Sequence, residues 1–133
     1  MRRRRNCWKL CVRRGMSTFL YVRTAQINAW RTGLKSQTFV SELGDHIVGI
    51  AYIMQYAPWG TESEQLWIQG IAVKDDMQGK GIGTKLLDHI EKYGKEKNVG
   101  YITLNTGFKR TGAHAFYERN GYNSGNYCFG KSL

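Results

Sequence analysis

The sequence is poor in several features that mark whole classes of protein. It holds one proline, Pro58, in 133 residues, so no proline-rich linker divides it. Its three cysteines, Cys7, Cys11 and Cys128, form no CxxC pair, and its three histidines are scattered. That pattern supplies neither a disulfide scaffold nor the ligand spacing of a metal site, and no metal is expected. No apolar run approaches the ~20 residues that span a bilayer, so no membrane partner is expected. The N-terminus opens with arginines but lacks the apolar core, about 7–15 residues long, of a signal peptide. Unpaired thiols then point to a reducing, cytoplasmic setting. Acids are scarce as well: 10 Asp and Glu face 20 Lys and Arg, for a formal net charge of +10.

That charge is unevenly placed. Arg2, Arg3, Arg4, Arg5, Lys9, Arg13 and Arg14 carry +7 in a stretch without an acid. The rest of the chain is mildly basic, and the total does not by itself argue for nucleic acid. What remains is a globular composition, 41% hydrophobic and 13% aromatic. It comes in a length that fits a single domain over residues 1–133, with 1–14 as a basic leader and first strand.

The hydrophobic pattern gives an order of elements. Trp8, Leu10 and Val12 alternate with Lys9 and Cys11, as in a short strand. Residues 17–34 read as a helix, with Ile27, Trp30 and Leu34 on one face and Ser17 as N-cap. Thr38–Leu43 and His46–Tyr56 are rich in β-branched and aromatic residues, and Gly44-Asp45 between them signals a hairpin. Leu66–Val73 is a near-continuous apolar run, the pattern of a strand covered on both faces, with Gly70 marking a bulge or a close backbone approach. Ile82, Leu86, Leu87, Ile90 and Tyr93 share one helical face. Residues 100–104 read as strand and Thr111–Asn120 as a short helix stopped by Gly121. Residues 122–131 are expected to return as strand. The order implies an α/β domain with a mixed sheet.

The strongest chemical feature is the sequence strand, glycine loop, helix over 66–97. In Gln78-Gly79-Lys80-Gly81-Ile82-Gly83-Thr84, glycines let backbone approach a ligand, and a helix N-terminus with a nearby lysine favours an anion such as a diphosphate. The loop lacks the GxxxxGK[ST] of a Walker A motif and the GxGxxG of a dinucleotide site. Alone, it reads equally as a flexible turn entering a helix.

It is not alone. Gln78–Gly83 resembles the Q/R-x-x-G-x-G/A loop of the GNAT N-acetyltransferase superfamily, and the preceding strand ends in Ile71-Ala72-Val73, as in many members. Downstream, Ala113-His114-Ala115-Phe116-Tyr117-Glu118-Arg119-Asn120-Gly121-Tyr122 resembles the family's A-x-x-F-Y-x-x-x-G-F/Y element. Thr38–Tyr56 resembles its second and third strands. The resemblance spans residues ~38–133 and departs from the family in two places. The N-terminal helical region is short, with room for one helix where two are usual. Arg110 also stands where members often carry the Asn that contacts acetyl-CoA.

The resemblance implies a mixed, mostly antiparallel sheet flanked by helices. It implies acetyl transfer from acetyl-CoA to a primary amine by direct attack in a ternary complex. Gln78, Gly79, Lys80, Gly81, Ile82, Gly83 and Thr84 would hold the diphosphate. Ile71, Ala72 and Val73 would face the pantetheine, with a backbone N–H near Ile71 donating to the thioester oxygen. Asn105, Arg110 and Phe116 complete the implied cofactor set. Tyr117 takes the place of the family tyrosine, whose phenol can protonate a thiolate of similar basicity. Glu64, before the apolar strand, is the first candidate for a base; Glu62 and Glu42 are others, each equally a solvated charge. A homodimer is also implied.

Trp59, Trp67, Tyr52 and Tyr56 would wall a pocket for a cationic or apolar amine, or serve as ordinary sheet packing. The acceptor stays open between a small-molecule amine and a peptide amine. Two other readings compete: a non-catalytic acyl-CoA-binding module of the same fold, and a nucleic-acid-binding protein using Arg2–Arg14.

Overall fold

The computed structural model describes residues 20–25 and 35–133. The strand expected at Trp8–Val12, the cap at Ser17 and the helical positions Ile27, Trp30 and Leu34 lie outside the described residues. Five strands lie in the order β1-β2-β3-β4-β5: β1 Leu20–Ala25, β2 Lys35–Leu43, β3 His46–Tyr56, β4 Gln65–Val73 and β5 Tyr101–Leu104. The first four are joined antiparallel. Helix α1, Ile82–Glu96, connects β4 to β5, and α2 spans Thr111–Arg119. The chain divides into two compact units, Met1–Thr103 and Leu104–Leu133.

Three expectations need correction. Residues 20–25 are strand, not helix. Tyr21, Val22 and Thr24 are aromatic or β-branched, and pairing from Leu20↔Leu43 to Ala25↔Thr38 satisfies the backbone that a helix would have satisfied internally. Residues 122–133 form no strand. Asn123-Ser124-Gly125-Asn126 has poor strand propensity, and Tyr127 and Phe129 are exposed, so the segment offers no buried face. Finally, β4 is not covered on both faces throughout. Leu66 and Ile68 are buried, whereas Gln69, Gly70 and Ala72 are exposed.

The hairpin at Gly44-Asp45 forms as expected, with positive φ at Gly44 (61°) and not at Asp45, as a two-residue type II′ turn requires. Alternation along β3 then sets the two faces of the sheet. Gly49, Ala51, Ile53 and Gln55 point to the side that α1 covers. Phe39 of β2, opposite Ala51, meets the rings of His89 and Tyr93 edge-on, at centroid distances of 4.7 and 5.5 Å. Ile82, Leu86, Leu87 and Ile90 give α1 its buried stripe against Phe39, Ile53, Leu66 and Ile68. Gly49 allows this approach: a Cβ there would stand 3.0 Å from Ile82 Cγ2 and 3.2 Å from Leu86 Cδ1. The start of α1 is thereby fixed against β3, and with it the loop that precedes it.

Candidate functional site

The turn after β4 is tied back before the glycines begin. The Lys74 N–H donates to Val48 O (2.9 Å), the Met77 N–H to Lys74 O (2.9 Å), and a 3-10 turn spans Asp75–Met77. The Gln78 side-chain amide donates to Val73 O (3.3 Å) and to Asp75 Oδ1 (3.1 Å). Gln78 thus braces the loop with its side chain. The chain then passes Gly79 (φ 72°) and Gly81 (φ 80°), left-handed conformations that cost an L side chain roughly 1–2 kcal/mol each. Both glycines are exposed, and the space where a Cβ would stand is open to 4 Å.

Gly81 is the N-cap of α1, and no side chain caps the helix. The Lys85 N–H closes the first turn on Gly81 O at 3.0 Å. The N–H groups of Ile82, Gly83 and Thr84 lie in the turn that has no intrahelical acceptor. A run of backbone donors, with no side-chain cap, therefore sits at the positive end of a 15-residue helix dipole. Lys80 is exposed beside it. This geometry fits a diphosphate.

Upstream of the loop, β4 slips by one residue in its ladder with β3. Tyr52 pairs with Gly70, but Ile53 pairs with Ile68, so Gln69 is an extra residue. This is the bulge that Gly70 signals in the sequence, and it leaves Gln69 outside the regular pairing. Ile71, Ala72 and Val73 continue from it toward the loop as partly or fully exposed strand.

Glu64 stands at the other end of β4, where its backbone carbonyl accepts from the Gly100 N–H at 3.1 Å. Its carboxylate accepts from Lys35 Nζ (2.8 Å) and from the amide of buried Gln55. Lys35 first, then Gln55, hold the Glu64 carboxyl below the usual range. Gln55 is a partner that sequence reading misses; a lone glutamine inside the His46–Tyr56 apolar strand is the signal.

Within the second unit, α2 begins after Arg110, whose carbonyl accepts the His114 N–H at 3.1 Å. His114 Nε2 lies 3.0 Å from Gly107 O. Phe116 and Tyr122 flank the Tyr117 ring at centroid distances of 5.1 and 5.8 Å, and the Gly121 turn brings the Tyr122 N–H onto Tyr117 O at 3.1 Å. Burial pushes the Tyr117 phenol up, and the charge of Arg110 opposes it. Asn105 and Arg110 are exposed, while Phe116 is half-buried.

The family model for the Acetyltransferase (GNAT) family matches residues 7–122. The chain belongs to the GNAT family. Uncharacterized N-acetyltransferase YhdJ of Bacillus subtilis (strain 168) is 31% identical over 73 residues, 54% of this chain and 51% of its own length. The aminoalkylphosphonate N-acetyltransferase of Salmonella typhimurium is 30% identical over 104 residues, 78% of this chain and 62% of its own. The chain thus spans about half to three-fifths of these curated relatives. The solved structure of aminoglycoside N-acetyltransferase AAC(6′)-Iy in complex with CoA matches with a TM-score of 0.75 over 92% of this chain and 98% of that one. At 13% identity it is a likeness of fold. Among the described residues the GNAT-like five-stranded sheet and the helices α1 and α2 are present. Among the described residues no group of His, Cys, Asp and Glu is placed to hold a metal, and no helix is long and apolar enough to cross a membrane.

Proposed function

We propose that the protein is an acetyl-CoA-dependent N-acetyltransferase acting on a primary amine. The observation that carries this reading is the pair of left-handed, uncovered glycines, Gly79 and Gly81, opening α1 directly after the exposed half of β4 in a chain of the GNAT family. Acetyl-CoA supplies the activated acetyl group. In the transfer, a C–N bond to the amine forms as the C–S bond breaks, and a proton passes from the amine to the CoA sulfur in balance.

The chain's own residues bind, orient and exchange protons. Backbone N–H groups from Gly79 to Thr84 hold the diphosphate, and Lys80 adds charge. Ile71, Ala72 and Val73 offer extended backbone to the pantetheine. An N–H at the Gln69–Gly70 bulge or at Ile71 donates to the thioester oxygen as it gains charge. Asn105, Arg110 and Phe116 are assigned to the cofactor side. Tyr117 is the acid. At neutral pH it is a phenol, the form that can give a proton to a departing thiolate, and burial raises it further above its ordinary value. Glu64, with its lowered pKa, is a weak base, so its assignment rests on positioning the start of β4, and water takes the amine's proton.

The test is release of CoA thiol from acetyl-CoA across a panel of primary amines, alongside calorimetric binding of CoA. The expected result is binding with amine-dependent turnover. Absence of CoA binding sinks the reading, and binding without turnover of any amine favours a non-catalytic acyl-CoA module. We place the reaction in the cytoplasm and the protein in a homodimer, which sedimentation at micromolar concentration tests.

A further inference from the structure

The two faces of the sheet are unequally finished. On the face away from α1, alternation and register bring Ile50, Tyr52, Met54 and Tyr56 of β3 beside Ala72, Gly70, Trp67 and Gln65 of β4. Over β2 this face is closed, with Thr38 and Val40 at 5% and 3% exposure. Over β3 and β4 it is open: Ile50 is 40% and Tyr52 39% exposed, and Trp67 and Met54 are partly so. The opening is centred on the bulge. Tyr52 stands directly opposite Gly70, whose missing side chain leaves the space above it clear to 4 Å. Gln69, the extra residue, is fixed by its amide on Met54 Sδ at 3.0 Å.

The charge of this face is as telling as its shape. None of the β3 and β4 residues on it is an acid or a base. The nearest carboxylate at its β2 margin, Glu42, is paired to Arg23 at 2.7 Å. A polycationic amine would find no counter-charge on these strands, and the polar side chains present are turned to one another or to sulfur: Tyr56 Oη donates to Gln65 Oε1 at 3.4 Å, and the Gln69 amide is held on Met54. An amine carrying one aromatic or alkyl body would cover Tyr52, Ile50 and Trp67 and leave its single nitrogen at the bulge. Apolar contact and the faces of Tyr52 and Trp67 would supply the attraction.

We propose that the acceptor is a monoamine with an aromatic or branched apolar body, seated on the open floor formed by Tyr52, Gly70 and Trp67, and that Tyr52 sets this preference. The inference rests on the acetyltransferase reading, and deepens it by naming the substrate class.

The experiment compares phenethylamine and tryptamine with spermidine and kanamycin, using thiol release by the full chain and by Tyr52→Ala and Tyr52→Phe. Phenethylamine or tryptamine is expected to exceed the polar amines in kcat/KM by about tenfold or more, the scale of one apolar pocket contact. Tyr52→Ala raises KM for the aromatic amines with a smaller change in kcat, and Tyr52→Phe restores them. Preference for spermidine or kanamycin overturns the inference and leaves the acetyltransferase reading intact. If no amine is acetylated, quenching of tryptophan fluorescence by phenethylamine still decides the point. Saturable quenching lost in Tyr52→Ala and kept in Tyr52→Phe supports the floor, and its absence in the wild-type chain overturns it.

Discussion

The two halves of β4 have opposite fates in one nine-residue strand. Leu66 and Ile68 are buried on the α1 side, opposite Gln55 and Ile53. From Gln69 onward no residue of the strand is buried, although Ile71, Ala72 and Val73 are as apolar as the first half. The bulge at Gln69 divides the two. An extra residue bends the strand and breaks its register, which frees the second half from the packing that fixes the first. The lesson is that an apolar run can be half core and half exposed strand, with one misfit residue at the boundary.

The sharpest way to test that division is to truncate both halves equally. Leu66→Ala removes a side chain with no exposure that also touches the helix near Gly94, and should cost about 2–5 kcal/mol of stability. Ile71→Ala, only partly covered, should cost about 1 kcal/mol or less while weakening acetyl-CoA binding. Denaturant midpoints and CoA titrations check the pair; equal losses of stability would erase the comparison.

Tyr117 is half-buried, with its ring between those of Phe116 and Tyr122. Tyr117→Phe keeps the ring and its contacts with Phe116 and Tyr122. It should lower kcat by about 10²-fold, the lower range for a positioned acid, with little change in thermal midpoint. The pH profile adds a sign. Because burial raises the phenol above its ordinary value of 10.0, wild-type kcat should fall only at pH above that value, and the variant should lack this limb. An unchanged rate across pH would remove the acid role.

Next in size is the loop. Gly81→Ala adds a Cβ in open space, so its cost is the strained φ of 80° and not a clash. Stability should drop by roughly 1 kcal/mol, and the displaced N–H groups should weaken CoA binding by about tenfold. Gly49→Ala makes the opposite case, a Cβ 3.0 Å from Ile82; it should destabilise the fold and move the start of α1.

Much of this was legible in the sequence, for reasons that differ by region. The hairpin at Gly44-Asp45, the stripe of Ile82, Leu86, Leu87 and Ile90, and the stop at Gly121 are local signals: a turn chemistry, a period and a cap. Gly70 also announced the bulge. Leu20–Ala25 was misread because the apolar spacing at Ile27 and Trp30 suggested one continuous period, whereas its pairing partners in β2 run from Leu43, opposite Leu20, to Thr38, opposite Ala25. The strand expected at 122–131 does not form, because the Asn123–Asn126 stretch has poor strand propensity and no described strand pairs with it. The Gln55–Glu64–Lys35 cluster was invisible because it joins the ends of three strands, a consequence of register rather than of spacing.

That cluster gives the smallest and most discriminating effect. Lys35, Gln55 and Glu64 join β2 and β3 to the start of β4, at the end away from the glycine loop. If Glu64 positions the strand, Glu64→Gln should cost a little stability, lower kcat only slightly, and leave the pH profile of kcat in place. A catalytic base would instead lose a pH limb. The sign of the stability effect follows from the lowered carboxyl pKa. The folded state holds Glu64 ionised more firmly than the unfolded chain does, so the contribution is full above the ordinary value of 4.5 and is lost as pH falls through the lower folded value. The gap between wild type and Glu64→Gln in urea midpoints should therefore be widest near neutral pH and close in acid. A gap that widens in acid, or a kcat that loses its neutral-pH limb, would return Glu64 from the structural half of β4 to the chemistry.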